Sequence, residues 1–160
     1  MKQKYKLIFA VAAAVASILF IVLAGQIYPH FYLGAPDAEG NLDFFRQDLI
    51  DRGMTMPLAL ATVSIPWAAA VIYYYAINSV HFDRWWHWLL VLVITALLTS
   101  YADWQYMNAK FIIEDLSDVY SPYMLAMSGW NAVCAACVFI VASYGIRWWS
   151  SNCRHTPIPQ

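Results

Sequence analysis

Three residues put oxygen atoms where a lipid-facing helix would carry none. Thr95, Thr99 and Asp103 are spaced i, i+4 and i+8 within the apolar stretch Leu89–Asn108, LLVLVITALLTSYADWQYMN. That spacing places them on one face of a helix. Asp103 is the only carboxylate inside the chain's long apolar runs. An ionisable group there is costly, and it turns toward a bundle interior or a watery cavity. Two chemistries fit. Hydroxyls leading to a carboxylate can line a pore and favour cations. Alternatively, Asp103 bonds across to a neighbouring helix, with Asn131 or Trp130 as partner. Asp103 lies about a turn from the end of its run, which is shallow for a proton relay.

A second constellation is aromatic and basic. HFDRWWHW, from His81 to Trp88, and RWWSSNCRH, from Arg147, gather five Trp with Arg84, Arg147, Arg154, His81, His87 and His155. The plainer reading is an interfacial aromatic belt with basic anchors. The sharper one is a ligand platform formed by Arg84, Trp85, Trp86, Arg147 and Trp148, on which bases stack and phosphates pair. A nucleotide or oligonucleotide is its expected ligand. The histidines match no metal-ligand spacing. Cys134 and Cys137 form C-x-x-C, but among Ala and Val and without a second pair they read as small packing residues. No Gly-rich phosphate loop, nucleophile elbow or H-E-x-x-H occurs. The chain is therefore expected to be no enzyme and to need no cofactor or metal.

The elements that must position these groups are membrane helices. The sequence is 62% hydrophobic and 12% charged, with a mean hydropathy of +0.52. Soluble domains carry about 25% charged residues. A hydrocarbon core needs about 20 apolar residues per helix. Four runs qualify: Leu7–Tyr28, Pro57–Val80, Trp86–Met107 and Pro122–Trp149. The expected fold is an all-α, four-transmembrane-helix bundle occupying residues 1–150, followed by a disordered tail over 151–160. The first run is longer than a signal peptide's apolar core, and no Cys follows Gly25, so removal and lipoprotein anchoring are not expected.

Charge sets the orientation. With both termini cytoplasmic, the inner segments hold Lys2, Lys4, Lys6, Arg84, Arg147 and Arg154 against Asp83. The outer side holds Arg46, Arg52 and Lys110, with Asp37, Glu39, Asp43, Asp48, Asp51, Asp103, Glu114, Asp115 and Asp118. An excess of Lys and Arg marks the cytoplasmic side. The implied location is a bacterial inner membrane.

Local signals add detail. Tyr28, Phe31 and Tyr32 suit the interfacial belt, and Pro36 and Gly40 mark turns. NLDFFRQDLIDRG, from Asn41 to Gly53, predicts a short amphipathic helix in the first outer loop, lying on the surface or capping the bundle. Asn41 would cap it and Gly53 end it, with Asp48 and Asp51 solvated or facing a pore mouth. Pro66, inside the second span, frees the Thr62 carbonyl and predicts a kink, which Thr62 or Ser64 would satisfy locally. Tyr73, Tyr74, Tyr75 and Asn78 would sit at the inner interface. Ser121 and Pro122 would open the fourth span. Small residues at Ala10, Ala14, Ser17 and Ala24, and at Ser128, Ala132 and Ala136, would let helices approach closely.

The functional expectation is a homo-oligomer that forms an ion-conducting channel or pore, lined by Thr95, Thr99 and Asp103. Its setting would be a ligand-gated bacterial membrane effector, by analogy of class. The alternative is a structural or accessory subunit of a larger membrane complex. A single-chain transporter fits poorly, because no inverted repeat is visible.

Overall fold

The computed structural model describes residues 3–31, 40–77, 84–150 and 153. Lys2, Tyr32, Pro36, Asp37, Glu39, Asn78, His81, Asp83, Arg154, His155 and the tail beyond Ser150, Cys153 excepted, lie outside the described residues. Among those described, all regular structure is helical. The elements are α1 (Gln3–Val22), α2 (Ala24–Ile27), α3 (Leu42–Asp51), α4 (Thr55–Val71), α5 (Trp85–Phe111) and α6 (Ser117–Ile146). A π-helical segment, Ile72–Ile77, extends α4. Four helices are long and apolar enough to cross a membrane: Lys4–Val22, Thr55–Ile77, Trp85–Glu114 and Ser117–Trp149.

The bundle is built around α6. It packs most extensively on α5, then on α4, and also on α1. Its buried stripe includes Met124, Ser128, Asn131, Ala135, Phe139, Ala142 and Gly145, at steps of three or four. Such a stripe is the inward face of a helix. A close helix crossing rests on Gly145. A Cβ built there would lie 3.5 Å from Ala10 Cα and 3.7 Å from Ala13 Cβ. Small residues thus let α1 and α6 meet closely. The sequence singled out Ala10 for this, but Gly145 only emerges from the packing. Of the expected packing residues on α6, Ser128 is buried, while Ala132 and Ala136 are half-buried.

Several helix ends differ from the sequence expectation. The first span is interrupted at Leu23, whose carbonyl still accepts from the Ile27 amide at 3.0 Å, and the short α2 and a 3-10 turn, Tyr28–His30, follow. Tyr28 is 0% exposed, inside the core. The fourth span starts at Ser117, so Pro122 stands inside α6 and not at its first turn. A left-handed Asp115 (φ 56) ends the preceding turn, and the Tyr120 amide already bonds Leu116 O at 2.9 Å. Helix α4 runs through Pro66 and changes to π geometry six residues later. Tyr73 and Tyr74 in that segment are fully buried, in edge contact at 5.0 Å. Tyr75 is exposed, and its hydroxyl donates to Ile146 O at 2.9 Å.

The loop helix α3 closes one end of the bundle. Its Phe45 and Leu49 are 0% exposed. The Phe45 ring lies 5.3–5.8 Å from the rings of Tyr120, Tyr123 and Phe111. Asn41 precedes the helix without a side-chain capping bond, and Gly53 (φ +61) turns the chain into α4. Arg52 forks onto Glu114 at 2.7 and 2.6 Å, and Tyr120 Oη donates to Asp48 Oδ2 at 2.9 Å. Of these ties the aromatic one should dominate, because exposed ion pairs contribute little. Phe45→Ala is expected to cost about 3–5 kcal/mol, read as thermal unfolding in detergent, and Glu114→Ala far less. An equal loss in both variants would mean that the ion pair holds α3.

Candidate functional site

The inward face of α5 is a continuous stripe of Thr95, Thr99, Asp103, Met107 and Phe111, all buried. Steps of four residues, about 6 Å each along a helix, set its three polar members in file. Thr95 is 3%, Thr99 0% and Asp103 1% exposed, so the file points into the bundle of a single chain. Because α5 continues to Phe111, Asp103 stands about two turns from its end, deeper than the apolar pattern indicated.

The two threonines are satisfied within their own helix. Thr95 Oγ1 donates to Val91 O at 2.7 Å, and Thr99 Oγ1 to Thr95 O at 2.9 Å. Each hydroxyl keeps lone pairs free to accept. Asp103 differs, because its partner comes from another helix. Thr62 Oγ1 of α4 donates to Asp103 Oδ2 at 3.2 Å. The same hydroxyl also reaches Leu58 O, at 2.9 Å. It has one proton for two acceptors, so its bond to the carboxylate is long and shared. On its other side it lies 3.1 Å from Tyr28 Oη, a pair in which either hydroxyl can donate.

Asn131 of α6 completes the cluster. It is 0% exposed, and its amide lies near both Asp103 and Tyr28. Neither amide atom reaches strict hydrogen-bond geometry with a described group, and nor does the buried Ser128 Oγ one turn away. The result is a polar knot of Tyr28, Thr62, Asp103 and Asn131, one residue from each side of the bundle. It has one acidic group, three neutral partners and donors left without full use. Chemically it can hold a positive charge beside the carboxylate, or pass a proton between oxygens.

Sequence reasoning found Asp103 and named Asn131 as a neighbour. It missed Tyr28, which an interfacial position explained well enough. It gave Thr62 only a local role beside Pro66. A signal was present: Thr62 is a hydroxyl residue in mid-span, and such residues bond across helices in membranes. Ser64, the other candidate near Pro66, is exposed.

The opposite end of the bundle holds the basic and aromatic residues. Arg84, Trp85 and Trp86 open α5 and are exposed. Trp88 turns inward, and its Nε1 donates to Ser143 Oγ at 3.1 Å. Arg147 is buried, with its guanidinium carbon 4.2 Å from the Trp148 ring centroid and 4.6 Å from that of Tyr144. Lys6 of α1 lies over the same Trp148 ring at 5.3 Å. The structure therefore joins Arg147 and Trp148 to α1, a partner that their spacing did not indicate. Cys134 is half-buried, Cys137 exposed and Cys153 buried, all as free thiols. Among the described residues no group of three His, Cys, Asp or Glu could hold a metal.

The shared Thr62 hydroxyl makes a testable distinction within the knot. Thr62→Val keeps the shape but leaves the Tyr28 hydroxyl and Asp103 without their bridge. It is expected to cost about 1–3 kcal/mol, as a stranded buried polar group does. Thr95→Val, which removes a bond to its own helix alone, should cost less. Unfolding of both variants in one detergent checks the order, and a reversed order would remove Thr62 as the hub.

No family model, curated protein or solved structure matches this chain.

Proposed function

We propose that this membrane protein conducts cations, and that they cross through the interior of its own four-helix bundle along Thr99 and Asp103. One observation carries the reading: Asp103, an acidic residue well inside a span, is buried in the bundle, in line with Thr95 and Thr99 and beside Thr62 and Asn131. Intramembrane carboxylates of this kind mark ion or proton pathways. The inward file favours a route within each chain. Assembly into a homo-oligomer would then set such bundles side by side. The bilayer in question is a bacterial inner membrane, with both termini and the basic end in the cytoplasm, in accord with the Lys and Arg asymmetry. Gating by a nucleotide at Arg84, Trp85, Trp86, Arg147 and Trp148 belongs to the same proposal, as does a role as membrane effector.

A second reading, an accessory subunit of a larger membrane complex, has one observation in its favour. Within the α1 span only Ala13 is buried, which leaves a long apolar face for a partner. Native mass in detergent separates an isolated assembly from a chain that needs other subunits.

Flux into liposomes tests conduction, with a proton-sensitive and a potassium-sensitive dye in separate arms. The intact protein is expected to pass one of the two ions. Asp103→Asn, close to isosteric, should lower the rate about tenfold or more, the worth of about 1.4 kcal/mol at a charge-selective step. Thr99→Leu should block the file as well. No flux above empty liposomes, or rates unchanged in both variants, would refute conduction along this file.

A further inference from the structure

The span of α1 and the end of α6 enclose a second feature, well away from Asp103. Tyr5, Ile8, Phe9 and Ala12 of α1 face Tyr144 and Trp148 across a groove of about 420 Å³. Small-molecule sites occupy about 300–1,000 Å³, so the groove has the size of a site. Its walls are almost wholly apolar. It follows α1 from Tyr5 to Ala12, about 10 Å of helix, from the basic end into the apolar span.

Two cations lie against its Trp148 wall. Trp148 has Lys6 over its ring at 5.3 Å and Arg147 at 4.2 Å. One cation comes from each helix that forms the groove. Among the described residues no carboxylate pairs with Lys6. The described charged residues at this end, Lys4, Lys6, Arg84 and Arg147, are all basic, while the described acidic residues outside the spans belong to the α3 end.

We propose that this groove is a binding site for an anionic phospholipid, with one acyl chain along Ile8, Phe9 and Ala12 and the phosphate beside Lys6 and Arg147. Charge complementarity selects the headgroup. Basic pockets between transmembrane helices hold anionic lipid heads in this way. The depth of the groove selects a lipid over a soluble phosphate, because a nucleotide has no hydrocarbon to fill 10 Å of apolar wall. The tight crossing of Ala10 and Ala13 on Gly145 fixes the two helices next to the groove, so the site is held open by packing and not by its ligand. The site lies away from Asp103, so conduction and lipid binding can fail separately, whereas a lipid and a nucleotide would compete for Arg147 and Trp148.

Native mass spectrometry of the full-length protein tests the proposal. The protein is delipidated in mild detergent and offered phosphatidylglycerol and phosphatidylcholine at equal concentration. The expected result is a one-to-one phosphatidylglycerol adduct that outlasts the phosphatidylcholine adduct. Lys6→Gln should weaken it about fivefold, the worth of one basic residue beside an anionic headgroup. Ala12→Phe, which fills the groove at an exposed position, should abolish it for both lipids. Thermal unfolding confirms that each variant is folded, and Lys6→Gln alone carries the test if Ala12→Phe is not. Equal retention of the two lipids, or a phosphatidylglycerol adduct indifferent to Lys6→Gln, would reduce the groove to ordinary lipid contact and overturn the proposal.

Discussion

One hydroxyl group ties this bundle together at its most polar level. Thr62 Oγ1 stands between Tyr28, which follows α1, and Asp103 on α5, and it also touches its own helix at Leu58 O. In a bilayer no water competes for such groups, so each must be satisfied within the protein. A carboxylate on α5 therefore requires the neighbouring helices to bring donors to it. This requirement fixes the rotation of α4, with Thr62 inward and Ser64 exposed. Burying Tyr28 delivers a phenol to the knot, and Phe31 follows it against Trp130 at 6.3 Å.

Sequence and structure agree where a single helix decides the outcome. The four spans follow from apolar length, and the inward turn of Thr95, Thr99 and Asp103 follows from i, i+4, i+8 spacing with the cost of exposing a carboxylate to lipid. The loop helix follows from Leu42, Phe45 and Leu49. They part where two helices decide it. Tyr28 fits an interfacial belt equally well in isolation, and only its contact with Thr62 shows it inside the core. Gly145 sits in an ordinary apolar run, and only the approach of Ala10 and Ala13 makes the lack of a side chain matter. Asp48 looks like one more solvated acid until α6 brings the Tyr120 hydroxyl to it. Pairing is a property of crossings, and crossings leave little trace in one sequence.

The two ends of the bundle are held by different physics. At the α3 end an aromatic cluster of Phe45, Phe111, Tyr120 and Tyr123 is buried under a helix lid, with Arg52 spread over Phe111 at 5.3 Å. At the other end Trp88, Tyr73, Tyr74 and Phe139 form a separate core joined by Cys153. Between the two cores lies the polar level of Thr62, Asp103 and Asn131, which Tyr28 joins to the α3-end core. Apolar packing thus dominates at both ends, and hydrogen bonds between helices dominate at the level of Thr62.

That division has a consequence for how the bundle can move. Apolar cores in a membrane gain little from hydrophobic exclusion, since lipid tails are as apolar as the side chains. The ends are therefore held by close packing, which tolerates few intermediate arrangements. The middle is held by one proton shared between two acceptors, an arrangement with more than one allowed pattern of donors. A rearrangement that moves the Thr62 proton from Asp103 to Leu58 O changes the partners of the carboxylate and needs no change at either end. Rotation of the Thr62 hydroxyl exchanges Asp103 and Leu58 O as acceptors within a frame held by α3 at one end and by the crossing of Gly145 on α1 at the other.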